Sequence, residues 1–482
     1  MDKRWDLSEI DEAKAKALGD QLNIHPTLSS LLINRGITDF EKSRAFFRPS
    51  LDMLYDPFLM KDLDLAVNRL SDALARNERI LIYGDYDVDG TTSVALMYSF
   101  LKNHTENISF YIPDRYTEGY GISEKGIEYA ASIHCQLIIT LDCGIRALNM
   151  ANLSKKKGID LIICDHHIPG SILPKAYAVL DPKRKDCRYP FKELSGCGVG
   201  FKLLQGFCLQ HSLDLGSLFN YLDLVAVSIA SDIVPMVGEN RILAYFGMQK
   251  INSQPLKSLQ ALIDIAGIKA PISISDVVFY IGPRINAAGR LRHAHESVDL
   301  LISEDPVQLK NFAQRLNEVN KKRQNIDQTI TEEALRTIYE ELPETAKSTV
   351  LFNPNWHKGI VGIVASRCIE HYFRPTVILT ESNGVATGSA RSVEGFDIHT
   401  ALGKCADLLL QYGGHAFAAG MSMALNNVDL FKERFEEIVK NTIPSDSERP
   451  KLIVDAQVPL DFIQFKNFNI LNQMSPFGPQ NM

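Results

Sequence analysis

Asp85, Asp87 and Asp89 alternate in Gly84-Asp-Tyr-Asp-Val-Asp-Gly90. Three carboxylates held this close repel one another and raise their own pKa values unless a cation lies among them. Hard oxygen donors at a turn between a strand and a helix suit Mg²⁺ or Mn²⁺. Two further sets of donors follow, Asp142-Cys-Gly144 and Asp165-His166-His167. Imidazole beside carboxylate favours Mn²⁺, with Mg²⁺ second. Asp232 lies in the strongly apolar stretch Tyr221–Pro235, where an unpaired carboxylate is costly and a metal is a good partner. Donor sets of this kind can share a pair of divalent ions, which together can ionise a water and stabilise developing negative charge. A lone Asp-x-Asp is usually a solvated turn, but turns need only one Asp, Asn or Gly. Three successive strand-like runs, each ending in metal-competent residues, ask for more than turn chemistry.

The elements that must position these donors are legible nearby. Arg79–Tyr83, Leu137–Leu141 and Asp160–Cys164 are apolar runs of strand length, and Thr91–Leu101 reads as a helix. From Arg79 to about Pro182 strand, turn and helix alternate, the pattern of a parallel α/β sheet whose strand carboxyl ends converge on one crevice. Residues 1–75 show short helical patterns expected to pad the first domain, and helices dominate 198–250. Between Pro306 and Pro343 there is no proline or glycine, and Leu309, Phe312, Leu316, Val319, Ile326, Ile330, Leu335 and Ile338 keep helical spacing. That predicts a long, exposed linker helix. A second, smaller α/β unit follows. The expected boundaries are 1–75, 76–303 for the catalytic domain, 304–345 for the linker, 346–449 for the second unit, and 450–482.

At 482 residues with 45% hydrophobic content the chain can build two or three cores. It has no run of about 18 apolar residues, and its start lacks the apolar core of a signal peptide, so a soluble, cytoplasmic protein is expected. The eight scattered cysteines form no Cys-x-x-Cys pair and read as reduced, mostly buried thiols. A net charge of −7 argues weakly against a nucleic-acid partner. Six of the acids, however, are the aspartates of the proposed centre, where two divalent ions would offset four charges. Lys183, Arg184, Lys185, Arg188 and Lys192 cluster, as do Arg284, Arg290, Arg292, His293 and His295; a solvated face and a phosphate contact are both open.

Asp-x-Asp-x-Asp-Gly, then a strand-end Asp, then Asp-His-His resembles the DHH phosphoesterase superfamily. Gly413-Gly-His-Ala-Phe-Ala-Ala-Gly420 resembles the glycine-rich motif of its partner domain, DHHA1. Ile82–Gly90, Arg115-Tyr-Thr-Glu-Gly-Tyr-Gly121, Ile281-Gly-Pro-Arg-Ile-Asn-Ala-Ala-Gly-Arg290 and Pro476-Phe-Gly-Pro479 are most similar to the bacterial single-strand-specific 5′-to-3′ exonucleases of that superfamily. The resemblance implies a parallel-sheet DHH domain joined by a long helix to a smaller α/β DHHA1 domain with a cleft between them, and at 450–482 the truncated start of an OB-like domain.

It also implies roles. Asp142 bridges two ions, Asp87 and Asp85 serve one, and Asp89, His166 and Asp232 serve the other. His167 faces the phosphate or makes a structural hydrogen bond. Asp165 orients an imidazole or binds metal directly, the first being favoured. Arg115, Ser389 and Arg391 hold a 5′-phosphate. Gly414 and His415 touch phosphate or form a tight turn, Tyr120 stacks on a base or packs in the core, and Arg284 and Asn286 contact the DNA backbone. His357, beside Trp356, has no assigned role.

The implied activity is metal-dependent hydrolysis of single-stranded DNA from a 5′ end, in repair and recombination, by a monomer with no membrane partner. There is room for a single-strand-binding protein or a helicase as partner. Two alternatives stand beside it. Other DHH enzymes hydrolyse oligoribonucleotides or cyclic dinucleotides but typically lack the Arg115 loop and the Gly-Pro-Arg-Ile-Asn segment. A catalytically silent scaffold would have lost ligands, and every expected ligand is present.

Overall fold

Numbered along the chain, β1 (Arg4–Leu7) stands apart, whereas β2 (Ile80–Gly84), β3 (Ile108–Tyr111), β4 (Leu137–Leu141), β5 (Asp160–Cys164) and β6 (Ala178–Leu180) form an all-parallel sheet in the order β3-β2-β4-β5-β6. This computed structural model describes residues 3–444 and 449–482. Side chains alternate between the two faces of a strand. Ile80, Ile82, Ile139 and Ile162 join one core with the helices Leu63–Ala75, Val88–Lys102, Gly196–Gln210 and Leu222–Ser231. Leu81, Tyr83, Ile138 and Ile163 join another with Glu124–Ser132 and Leu148–Lys156. Burial on both faces explains why these strands read as continuous apolar runs.

The register positions the site. Gly84 pairs with Leu141, Leu141 with Cys164, and Cys164 with Leu180. The next residues, Asp85, Asp142, Asp165 and Asp181, therefore form a row along the carboxyl edge. Because β3 and β4 lie on opposite sides of β2, the strand order reverses between Asp85 and Asp142, and such a switch point opens a crevice at the strand ends. The helix after β2 begins at Val88, earlier than the expected Thr91, because Asp87 is its N-cap and accepts from Gly90 N at 3.0 Å. Asp89 is thereby carried in the first helical turn.

Two compact units result: Asp11–Asn320 with Pro459–Met482, and Lys321–Val458 with Met1–Ile10. In the second, β7 (Thr349–Phe352) runs parallel to β8 (Thr376–Ser382), and β9 (Val385–Arg391), β10 (Leu409–Gly414) and β11 (Ala418–Met423) add antiparallel strands in the order β10-β11-β9-β8-β7. Val377, Leu379, Met421, Phe431 and Phe435 fill its core. β12 (Lys451–Val454) pairs in parallel with β1. β12 is the strand expected to open 451–482, whereas β1, at four residues, is too short for periodicity to reveal and is defined by this distant partner.

The Pro306–Glu341 helix runs 36 residues. The expected apolar positions Leu309, Leu316, Val319, Ile330 and Ile338 are buried along one stripe together with Ala313 and Ala334, and the polar face is exposed. All eight cysteines are buried and unpaired. Among the described residues no helix is long and apolar enough to cross a membrane.

Candidate metal centre

His166 Nε2 lies 3.1 Å from Asp142 Oδ1, 3.6 Å from Asp232 Oδ2 and 3.7 Å from Asp89 Oδ2. Yet neither ring nitrogen of His166 nor Asp142 Oδ1 makes a hydrogen bond, and all three atoms are buried. Both buried oxygens of Asp85 also lack a hydrogen bond of good geometry. The 3.1 Å between His166 Nε2 and Asp142 Oδ1 is a separation that one divalent ion with bonds near 2.1 Å could span. Burial, and then the neighbouring acids, push the Asp85, Asp142 and Asp232 carboxyls well above the ordinary range and raise Asp87. For Asp142 those acids are Asp89, Asp87, Asp232 and Asp85, which makes it the electrostatic centre of the group. Burial lowers the His166 pKa, favouring the neutral imidazole that can ligate. Asp232 occupies the C-cap of the Leu222–Ser231 helix, the negative end of its dipole. Together these features fit a hard divalent cation and leave the carboxylates poorly solvated without one.

The other acids are held by the protein. Asp89 Oδ2 accepts from Gly196 N at 2.7 Å, and its Oδ1 accepts from Cys197 N at 2.9 Å and Ser228 Oγ at 2.7 Å. The carboxylate thus caps the positive end of the Gly196–Gln210 helix. Ser195 and Ser228 share a hydrogen bond of 2.7 Å behind it. The sequence reading did not single out Ser195, Gly196 or Ser228. One signal was available: Ser228 precedes Asp232 by one helical turn and so shares its face.

Asp165 Oδ1 accepts from the backbone N–H groups of His166 and His167 at 2.7 and 3.1 Å and lies 2.8 Å from His167 Nδ1, while Oδ2 accepts from Ile145 N at 2.8 Å. These bonds hold its pKa below the usual range despite burial. Burial opposes charge on His167, but the hydrogen bond to Asp165 and its negative charge lift that imidazole to about 9. Asp181, the fourth acid of the row, has a buried, unpartnered Oδ2, and burial raises it to about 7.

Around this centre, Tyr120 Oη donates to Asp142 O at 3.1 Å and lies 3.2 Å from His167 Nε2, while its residue stays 54% exposed. The Arg115 guanidinium lies 4.9 Å from the centre of the Tyr86 ring. Arg284 donates to Tyr280 O at 2.7 Å and to Asn317 Oδ1 at 3.1 Å, and Asn286 is half-buried on the same Gly282–Leu291 helix. That helix packs on the aspartate loop: a Cβ on Gly289 would lie 2.5 Å from Tyr86 O. Of the first basic cluster, Arg184 is not a surface cation. It is buried and donates to Asp62, Asp186 and Val179 O.

Within the second unit, Ser389 and Arg391 lie two residues apart on β9, and Arg391 Nη1 donates to Ser389 Oγ at 2.6 Å. A Cβ on Gly362, in the first turn of the Val361–His371 helix, would lie 3.0 Å from Arg391 Nη2 and 3.1 Å from Ser389 Oγ. Arginine, hydroxyl and helix N-terminus together favour an anion. Gly414 has φ +146°, and a Cβ there would come within 2.3 Å of Ala418 O, so the β10–β11 turn itself requires glycine. His415 N donates to Ala418 O at 2.8 Å, and the residue is exposed. His357 Nδ1 accepts from Gly359 N at 3.1 Å.

A parallel sheet with acids at its switch point and a following Asp-His-His, paired with a mixed-sheet unit, defines a DHH-superfamily protein: residues 79–229 match the DHH family N-terminal domain and 336–441 the DHHA1 domain. Within that class the chain belongs to the RecJ family. It is 38% identical to the single-stranded-DNA-specific exonuclease RecJ of Bacillus subtilis over 99% of this chain and 60% of that protein, so it spans less than two thirds of that relative's length. It is 32% identical to RecJ of Escherichia coli over 94% of this chain and 81% of that protein. The crystal structure of Thermus thermophilus RecJ in complex with Mn²⁺ superposes with a TM-score of 0.87 at 28% identity, covering 99% of this chain and 68% of that one.

Proposed function

We propose that the chain is a metal-dependent 5′-to-3′ exonuclease of single-stranded DNA, acting in DNA repair and recombination. The observation that carries this reading is the convergence of Asp89, Asp142 and Asp232 on an imidazole nitrogen that makes no hydrogen bond. The Mn²⁺ and Mg²⁺ complexes of the Thermus relative support the choice of ion. Two bound ions would ionise a water, neutralise phosphoryl oxygens and stabilise the leaving alkoxide. Asp142 would serve both ions, Asp85 and Asp87 would complete one set, and Asp89, His166 and Asp232 the other. Asp165 holds the backbone of the histidine pair and the His167 ring, and His167 presents its proton toward the phosphate. Tyr120 offers its exposed ring to a base, with its hydroxyl fixed to Asp142 O.

In this reading Ser389, Arg391 and His415 of the second unit hold a 5′-phosphate, with Gly414 letting the backbone approach it, while in the first unit Arg115 binds phosphate and Arg284 and Asn286 touch the DNA backbone. Residues 76–303 are the DHH catalytic domain and 346–449 the DHHA1 domain. The protein works as a cytoplasmic monomer on strands with a free 5′ end, which a helicase or single-strand-binding protein would present. Hydrolysis of oligoribonucleotides or cyclic dinucleotides is the lesser reading, since the Arg115 loop and the Gly282–Leu291 helix both pack on the aspartate loop.

Purified chain with Mn²⁺ and 5′-labelled single strands is the test. Release of labelled mononucleotide from linear DNA, with duplex and covalently closed circles resistant, is expected. Degradation of circles at the linear rate, or a preference for RNA or cyclic dinucleotides, would overturn the reading.

A further inference from the structure

The loop that follows Asp232 is held from outside its own helix. Ile233 has φ +58°, a strained conformation for a β-branched residue that persists only where surrounding contacts impose it. Asn240 Nδ2 donates to Pro235 O at 3.0 Å. The next residue, Met236, is 1% exposed, and its N–H donates to Pro479 O at 2.7 Å. Gly478 lies flush on the Met236 side chain: an added Cβ would stand 3.0 Å from Met236 Cβ and 3.2 Å from Cε. Cβ is fixed to the backbone, so relief there must move the loop or the segment.

The segment is built to stay put. Gly478 and Asn481 exchange backbone hydrogen bonds of 2.8 and 3.2 Å. The buried Asn481 amide donates to Met474 O at 3.0 Å and Pro476 O at 2.9 Å, and its Oδ1 accepts from Arg35 Nε at 3.1 Å. Arg241, also buried, donates to Ser475 O at 2.9 Å and Phe46 O at 3.0 Å, with its guanidinium 3.9 Å from the Phe46 ring centre. A run of chain far from the acids in sequence therefore clamps the peptide four residues past one of them.

We propose that Ser475–Asn481 is a positioning strap for the metal ligand Asp232, with Gly478 and Pro479 acting through Met236. The proposal rests on Asp232 being a ligand, as in the reading above. The strap fixes where the helix carrying Ser228 and Asp232 ends, and so sets the affinity of the ion bound with Asp89 and His166. Residues that orient metal ligands typically contribute ten- to a hundredfold in affinity.

The test is Mn²⁺ binding to the full chain, counted by the loss of free-ion EPR signal, alongside kcat and KM on single-stranded DNA. Gly478→Val should weaken one of two Mn²⁺ about tenfold and lower kcat with KM unchanged. Asn481→Ala, which loosens the strap without touching Met236, should do the same and stands in if the valine variant does not fold. Leu262→Ala, in the Lys257–Ala266 helix, gives a loss of Tm from core packing alone and should leave Mn²⁺ binding intact. Wild-type affinity in both strap variants, or an equal loss in Leu262→Ala, overturns the strap while leaving the metal reading standing. If Asp232→Ala still binds two Mn²⁺ tightly, Asp232 is no ligand, and the metal reading falls together with the strap.

Discussion

Gly196 lies against Asp142: a methyl group on its Cα would stand 2.6 Å from Asp142 Cβ and 2.8 Å from Oδ1. The same residue's N–H donates to Asp89 Oδ2 at 2.7 Å. One glycine thus sets the separation of two carboxylates that belong to different elements. Gly196→Ala should displace Asp142, whose own backbone is held at φ +60°, and so disturb both proposed ion sites at once. Hydrolysis should fall below detection and Mn²⁺ binding weaken, with the far-UV circular dichroism unchanged. Near wild-type turnover would mean that this packing does not position the carboxylate.

Ser228 is a milder probe of the same geometry. Its hydroxyl donates to Asp89 Oδ1 and sits 2.7 Å from Ser195 Oγ. A hydrogen bond to a charged acceptor is worth about 1.5–3 kcal/mol, so Ser228→Ala should lower kcat/KM roughly ten- to a hundredfold at limiting Mn²⁺. Raising Mn²⁺ should recover much of the loss, because the serine orients Asp89, a proposed ligand, through its hydroxyl. A deficit that ignores Mn²⁺ concentration would count against this assignment.

The row of acids at the strand ends was legible because parallel strands buried on both faces appear as short apolar runs, and a carboxylate at the end of such a run stands out. Asp85, Asp142 and Asp165 each follow one. Asp181 follows a strand of only three residues, too short to announce itself. Ser195 and Gly196 were not legible, since their role exists only once a second helix brings them to Asp89, and for Ser228 the one signal was its place a helical turn before Asp232. Arg184 shows the opposite failure: in a run of charges it reads as surface, yet Asp62 and Asp186 neutralise it in the interior. The Pro306–Glu341 helix was clear from spacing, whereas burial of its stripe depends on packing partners that spacing does not contain.

Protons and metal ions should compete at this centre. Asp85, Asp142 and Asp232 have pKa values raised in the folded, metal-free protein, mainly by burial. That state keeps protons which the unfolded chain releases near pH 4. The stability they contribute is present below that pH and lost as pH rises through the folded values, so the metal-free protein should weaken with rising pH. Asp165, whose pKa is lowered, works in the other sense and contributes only above about pH 4. Metal replaces the retained protons. The gain in Tm from saturating Mn²⁺ should therefore be larger at about pH 7.5 than at about pH 5.5, with affinity tightening up to roughly tenfold per pH unit for each proton displaced. Calorimetric scans with Mn²⁺ and with chelator at both pH values check this, and a gain independent of pH would refute it.

Arg391 should read the end of the strand and leave the ions alone. Its guanidinium is held by Ser389 Oγ and Ala390 O beside the first turn of the Val361–His371 helix. A terminal phosphate there would receive a charged hydrogen bond worth about 1.5–3 kcal/mol. Arg391→Ala should accordingly shrink the preference for a 5′-phosphate over a 5′-hydroxyl by roughly ten- to a hundredfold. Mn²⁺ binding should be unchanged. Arg391→Lys should recover only part of the preference, because a point charge cannot reproduce a planar fork. The measurement is kcat/KM on strands that differ only in the 5′ group. If the ratio in Arg391→Ala matches wild type, this arginine does not hold the terminal phosphate, and Arg115 becomes the residue to test.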